Sequence, residues 1–337
     1  MSKAELEMST EPVIAQDESI LWLALRYARP HKSQAIETLM VKLESIAPIG
    51  ARISRDQQNN LWIDTRQAAT MTMFMAHLDT VASLPGSIPL FMSQDGIIET
   101  DGKNVLGADD GAGVALIASL MESGVPALYL FSQKEESGGD GGRFAATLRD
   151  KFYGIERLIS FDRKGTTSIC GEQMAGTLAS RDFVHELAYR LGMGHQWDCG
   201  TYTDNSEFQD LIPEIVNVSI GYANNHGPME TLDYGYFLKL REACLTLDWE
   251  TLPTVGPDTS NDFKADAWEG YFSKGDPCKS AFGSDPIDYL VDSVEIEHWD
   301  LCESIGIVRG TWEADMILDS LTRCFEDGKA TSRRSRR

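Results

Sequence analysis

The chain has 337 residues, of which 42% are apolar, 9% aromatic and 24% charged, a balance that excludes a disordered or fibrous polymer and allows a large core. Fifty-two acidic against thirty basic residues leave a net charge of -22, which repels nucleic acid and anionic membrane surfaces. The longest apolar run near the start, Ile20 to Leu25, is far short of the roughly 20 residues that cross a bilayer, and an acidic segment precedes it, so neither a membrane span nor an export signal is expected.

Six cysteines without a CxxC pair fit a reduced, cytoplasmic setting, and none is expected to bind metal or to act as a nucleophile. In chain order, Ile20, Leu23, Ala24 and Tyr27 recur at helical spacing. So do Ile36, Leu39, Met40 and Leu43 behind a cap at Ser33, and Pro30 separates the two helices. Ala51–Ser54 and Leu61–Asp64 flank a polar run and read as a hairpin, and Thr70–Ala76 reads as a buried strand. A second hairpin is expected around Asp101-Gly102, before a helix that ends near Gly124.

Strand and helix then alternate: strands Ala127–Ser132, Leu158–Phe161 and Glu214–Ile220, helices Arg143–Arg149, Arg181–Leu191 and Leu232–Trp249. This rhythm predicts an α/β fold with a mixed, mostly parallel central sheet and helices on both faces. Residues 1–250 are expected to form the main domain. Residues 251–285, rich in Pro, Gly, Asp, Ser and Asn, read as a linker or irregular wrap. Residues 286–337 read as a small acidic helical appendage that could meet a protein partner, with a solvated basic tail at Arg333–Arg337.

Several chemistry-bearing residues follow the predicted strands. In FMAHLDTV, His77 and Asp79 leave a strand on the same side, a spacing that suits a metal histidine oriented by a carboxylate. In LGADDGAG, Asp109 and Asp110 stand at a helix mouth among small residues, and Glu135-Glu136 follow the next buried strand. Asp162 ends another strand and His226 comes shortly after a fourth. Singly, each could be a helix cap or a loop polar group. Together they arrive just beyond strands of one sheet, where open α/β sheets place ligands, and so many carboxylates in one cleft call for bound dications.

In these motifs (HLD at 77–79, GADDGAG at 107–113, EESG at 135–138, SFDRKG around Asp162 and NNHGPME around His226) the sequence resembles the co-catalytic di-zinc exopeptidases, over about residues 15 to 250. The resemblance implies that His77 and Asp162 hold one zinc, Glu136 and His226 the other, and Asp109 bridges them. It also implies that Asp79 orients His77 and that Glu135 is the general base. Asp109 is favoured over Asp110 by the family's spacing to Gly113.

The intervals from His77 to Asp109 and from Asp162 to His226 leave no room for the lid domain that many relatives insert there. The implied activity is that of a metal-dependent aminopeptidase acting on peptides with two divalent ions, zinc first, with manganese or cobalt as alternatives. An N-acyl amino acid deacylase or carboxypeptidase is the alternative, and a catalytically dead protein-binding module a more distant one. An aminopeptidase must hold its substrate's ammonium beside two dications, which predicts acids beyond the ligand set. Glu230 and Asp204 are the candidates for that role.

Overall fold

The computed structural model describes residues 19–257, apart from positions 83 and 175. The appendage expected over 286–337, and all but the first residues of the wrap expected over 251–285, lie outside the described residues.

Helix α1 (Ile20–Arg26) is followed by α2 (Gln34–Ile46), whose Ser33 cap accepts a hydrogen bond from the Ile36 N–H. Strands β1 (Arg52–Arg55) and β2 (Leu61–Asp64) form the expected hairpin. Asp56 ties its turn by accepting from Gln58 and Asn60 N–H groups and from the Trp62 indole. There follow β3 (Thr72–His77), α3 (Ala108–Glu122), β4 (Leu128–Ser132), α4 (Asp140–Thr147), β5 (Arg157–Arg163) and β6 (Ser168–Gln173). Next come α5 (Arg181–Leu191), β7 (Gln196–Cys199), β8 (Glu214–Ser219) and α6 (Tyr234–Thr246).

The central sheet runs, from one edge, Gly176–Thr177, β6, β8, β5, β3, β4, β2, β1, with β7 pairing β6. Its centre, β8-β5-β3-β4, is parallel, and the flanking pairs β6–β8, β4–β2 and β2–β1 are antiparallel. All six residues of β3 and all five of β4 are buried, as strands covered on both faces must be. Alternation along β3 sends Phe74 and Ala76 into the larger core cluster with α1, α2, α3, α5 and α6. Met73 and Met75 go into the smaller one with Ala145 and Ala146 of α4. The architecture is therefore a mixed α/β sheet with helices on both faces.

Two local expectations are corrected. The hairpin near residue 100 turns at Asp95-Gly96, between Phe91–Met92 and Ile97–Glu99, and not at Asp101-Gly102. Asp101 instead makes an Asx turn, its carboxylate accepting from the Lys103 N–H at 3.1 Å. Leu232 and Asp233, read as the start of a helix, belong to the strand Thr231–Asp233 that pairs with Ile97–Glu99, and α6 starts at Tyr234 with Asp233 as its cap. The core also continues past residue 250. Buried Arg157 donates to the Leu252 carbonyl and the Thr254 hydroxyl, and buried Glu214 accepts from the Val255 and Gly256 N–H groups. No helix among the described residues is long and apolar enough to cross a membrane.

Candidate metal centre

Because β3, β4, β5 and β8 are parallel, their carboxyl ends share one edge of the sheet. His77 is the last residue of β3, Asp162 lies near the end of β5, Glu135 and Glu136 follow β4, and His226 follows β8. Asp109 joins them from the mouth of α3, where Asp109 and Asp110 depart from helical φ/ψ and are linked by a cis peptide.

Asp109 spans the group: one carboxylate oxygen is 3.1 Å from His77 Nε2, the other 3.2 Å from His226 Nε2 and 2.7 Å from Asn225 Nδ2. Glu136 Oε2 lies 3.2 Å from His226 Nε2, and Asp162 Oδ1 3.7 Å from His77 Nε2. His77 is 1% exposed, whereas the His226 side chain is 54% exposed and forms the open side of the cluster. The loop reaches it through Asn224 and His226, both at positive φ, a conformation that non-glycine residues avoid.

Asp110 has a separate job. Its carboxylate accepts from the His77 and Gly113 N–H groups, and a Cβ at Gly113 would collide with it, so both its oxygens are committed to fastening β3 to α3. Asp79 also differs from its expected geometry. Its backbone carbonyl, 3.0 Å from His77 Nδ1, orients the ring, while the carboxylate, 3.9 Å away, accepts from the Glu135 and Glu136 N–H groups. One residue thus positions both the histidine and the Glu-Glu turn.

Glu230 and Asp204 are not open to a substrate. Glu230 is fully buried and both its oxygens are taken by backbone, the Gly107 N–H at 2.8 Å and the Asp109 N–H at 2.9 Å. Asp204 is buried and accepts from the Ser132 hydroxyl at 2.5 Å. Burial pushes both carboxyls up, to about 7. The expectation that either meets a substrate ammonium is therefore corrected.

Sequence reasoning missed the supports. Tyr222 and Thr203 donate to the two Asp162 oxygens at 3.1 and 2.7 Å, and nothing in their sequence context marks them. Arg29, 1% exposed, donates to the carbonyls of Leu78, Gly107 and Ala24, tying the loop after His77 to the loop before Asp109. Burial lowers this guanidinium to about 10, against the pull of Glu230 and Asp110.

The electrostatics are those of a site short of positive charge. Burial pushes the Glu135 carboxyl well up, with Asp162 and Asp204 adding to it, and burial raises Glu136 and Asp162 as well. Hydrogen bonds to Asp109 and Glu136 lift His226 to about 11. His77 is raised despite its burial, through Asp109 and Asp162. The carboxylates thus favour positive charge at both rings, as they would favour a metal cation.

The donors fit such a cation. Ligand atoms of His77, Asp109 and Glu136 lie within 4.8 Å of one another, as do those of His77, Asp110 and Asp162. Asp110 is tied to backbone N–H groups, whereas the Asp109 and Asp162 carboxylates meet only side chains, and their oxygens lie 3.1 and 3.7 Å from His77 Nε2. Glu136 Oε1 is buried with no hydrogen-bond partner, an orphan that a metal ion would satisfy. A nitrogen and oxygen donor set of this kind suits zinc and its divalent neighbours.

No family model and no curated protein matches the sequence. Among solved structures, the chain is similar to the aminopeptidase PepT of Bacillus cereus (15% identity, 67% of this chain and 95% of that one, TM-score 0.56). It is similar to a tripeptidase of Staphylococcus aureus (14%, 67% and 95%, 0.56) and to a TET aminopeptidase of a marine-sediment Thaumarchaeota archaeon (12%, 71% and 96%, 0.51). The chain has a zinc exopeptidase-like fold. In this fold the carboxyl edge of the parallel strands is where the acid and histidine cluster has just been described.

Proposed function

We propose that the chain is a metal-dependent exopeptidase that hydrolyses peptide bonds, with two divalent ions, zinc first, held by His77, Asp109, Glu136, Asp162 and His226. The observation that carries this reading is the position of Asp109, in reach of both histidines, with Glu136 and Asp162 each beside one of them. When bound, the ions would lower the pKa of a shared water and polarise the scissile carbonyl. Glu135 lines the cleft beside Asp109 and Asp162, and its raised affinity for a proton suits a group that takes one from water and returns it to the leaving amine. Asp79 holds the Glu135 N–H, so the base is positioned from the same loop that orients His77.

The similar structures support an aminopeptidase. A second reading, an N-acyl amino acid deacylase or carboxypeptidase, is favoured by the cleft itself. The acids that line it, Asp109, Glu135 and Asp162, are all in the metal or proton machinery, and none is left to meet an ammonium. Metal content and hydrolysis of short peptides with free or acetylated N-termini test both readings. Bound metal, activity with zinc, manganese or cobalt, and a need for the free amine support the aminopeptidase. Equal or faster cleavage of acetylated substrates moves the reaction to the second reading, and metal binding without hydrolysis of either makes the chain a binding module.

A further inference from the structure

The cleft that opens beside the acid and histidine cluster carries charge of both signs. It is lined by the carboxylates of Asp109, Glu135 and Asp162 and by the consecutive cations Arg163 and Lys164. The two cations differ in commitment. Arg163 is pinned, its Nη2 donating to the Asp198 carboxylate and to the Cys199 carbonyl at 2.8 Å. A Cβ at Gly200 would come to 3.0 Å from its Nη1 and 2.8 Å from Cys170 Sγ, so the wall is built closely around the guanidinium. Lys164 is exposed, and its ammonium has no hydrogen bond or ion pair among the described residues. His226 faces Asp109 and Glu136, so Lys164, without a partner among the described residues, is the cation of the cleft left free for an anionic ligand in a chain with a net charge of -22.

We infer that Lys164 receives a carboxylate of the substrate, so that the enzyme acts on short peptides or acyl amino acids with a free carboxylate close to the scissile bond. This rests on the exopeptidase reading above. The distance follows from the chain. Lys164 comes two residues after Asp162, just past the last strand residue Arg163, so the two α-carbons are at most roughly 7 Å apart, and both residues line the same cleft. A peptide gains roughly 3.4 Å per residue, so the recognised carboxylate lies about one to three residues beyond the reacting carbonyl. The remaining lining is polar and offers no large apolar pocket: Thr201 carries no side-chain hydrogen bond among the described residues, while Thr203, Gln173, Asn217 and Asn225 are held by hydrogen bonds within the protein and form a fixed polar wall. The carboxylate can come from the chain terminus or from an acidic side chain, and these sources are separable.

The test compares the metal-loaded full-length protein on matched short peptides as free acids, as C-terminal amides, and as amides with Asp or Glu after the scissile bond. Free acids should be cleaved with about tenfold higher kcat/KM than amides. Lys164→Ala should erase that preference by raising KM for the acids alone, and Lys164→Arg should restore most of it. A preference only for the acidic side chain assigns the site to that source. Equal cleavage of acids and amides, or a preference unchanged in Lys164→Ala, overturns the inference while leaving the peptidase reading intact. Binding of the same peptides to the Glu135→Gln protein, measured by calorimetry, gives a readout without turnover. A Lys164-dependent preference there, in a wild type that hydrolyses nothing, keeps the inference and removes the peptidase.

Discussion

Strands β5 and β8 each carry a buried charge at their start and end near a site charge, and the two edges of the sheet solve the same problem in opposite ways. At the amino edge, Arg157 meets the Glu250 carboxylate at 3.1 Å, the Leu252 carbonyl and the Thr254 hydroxyl. Glu214 accepts from the Ser180 N–H and hydroxyl and from the Val255 and Gly256 N–H groups. Arg157 and Glu214 are each matched by opposite charge or by several donors, which is what burial demands, although Glu250 Oε1 is itself left without a hydrogen bond. At the carboxyl edge three carboxylates, Asp109, Glu136 and Asp162, crowd two histidines. Among the described residues no arginine or lysine forms an ion pair with them, and Glu136 Oε1 has no hydrogen-bond partner. A charge set with its opposite charge present serves stability, whereas the excess of carboxylates at the other edge is what the proposed cations would compensate.

The largest expected effect breaks the carboxyl edge. Glu135→Gln should lower turnover by about 10²- to 10⁴-fold with metal content and thermal stability unchanged, because the residue is assigned to proton transfer and not to coordination. Asp109→Ala should lose both metal and turnover. Elemental analysis and kinetics on the two purified variants separate these outcomes, and wild-type turnover in Glu135→Gln would remove the general base.

The amino edge should respond the other way. Arg157→Ala strands Glu250 beside the sheet and should cost about 3 kcal/mol, or roughly 6–10 °C in melting temperature, while the folded fraction keeps its metal and its kcat. A truncation after residue 257 retains these partners, whereas one near Trp249 removes Glu250, Leu252 and Thr254 and should destabilise the chain as much. A melting temperature within 2 °C of wild type in Arg157→Ala would mean that the amino edge is not the anchor described.

Arg29 sharpens the comparison, since it is a satisfied charge placed beneath the unsatisfied edge. It acts as a positioning residue through the Leu78 and Gly107 carbonyls, so Arg29→Met should weaken metal binding by about 10- to 100-fold, and Arg29→Lys should recover part of it. A metal titration followed by calorimetry reads this independently of activity. Loss of stability with unchanged metal affinity would make Arg29 a core residue only.

What the sequence disclosed follows the same division. His77 and Asp162 were legible as candidates because each comes directly after an apolar run, as in FMAHLDTV and SFDRKG, whereas Asp109, Glu136 and His226 stood out through the order of the motifs. Glu230 and Asp204 were misread because their burial depends on Gly107, Asp109 and Ser132, about 70 to 120 residues away, a distance local pattern does not bridge. The same holds for Arg29 and Tyr222, whose partners belong to other elements. Strands β6 and β7 were missed because SICGEQ and QWDC lack a clean alternation, and they are held instead by pairing with each other and with β8. The hairpin was misplaced because Asp-Gly occurs at both 95–96 and 101–102, and only the first has Phe91–Met92 and Ile97–Glu99 on its two sides.

The smallest predicted effect isolates burial from charge. His77 and His226 are raised because carboxylates surround them, whereas His195 is buried without such neighbours and is lowered by burial to about 4. Its Nε2 lies 2.7 Å from the Tyr236 hydroxyl, which donates to the Ser219 carbonyl, so the neutral ring donates to Tyr236 and charging it gains nothing. Below pH 6.5 the unfolded chain takes up a proton that the folded ring refuses until near pH 4. The stability contributed is therefore complete above pH 6.5 and falls as the pH drops toward 4. Discounted for the ring's partial contact with solvent, the loss between pH 7 and pH 5 should be about 1 kcal/mol. His195→Gln, which keeps a donor and does not titrate, should remove that part of the acid dependence in denaturant melts at the two pH values. An unchanged pH dependence in the variant would place the acid sensitivity of the fold entirely in its carboxylates.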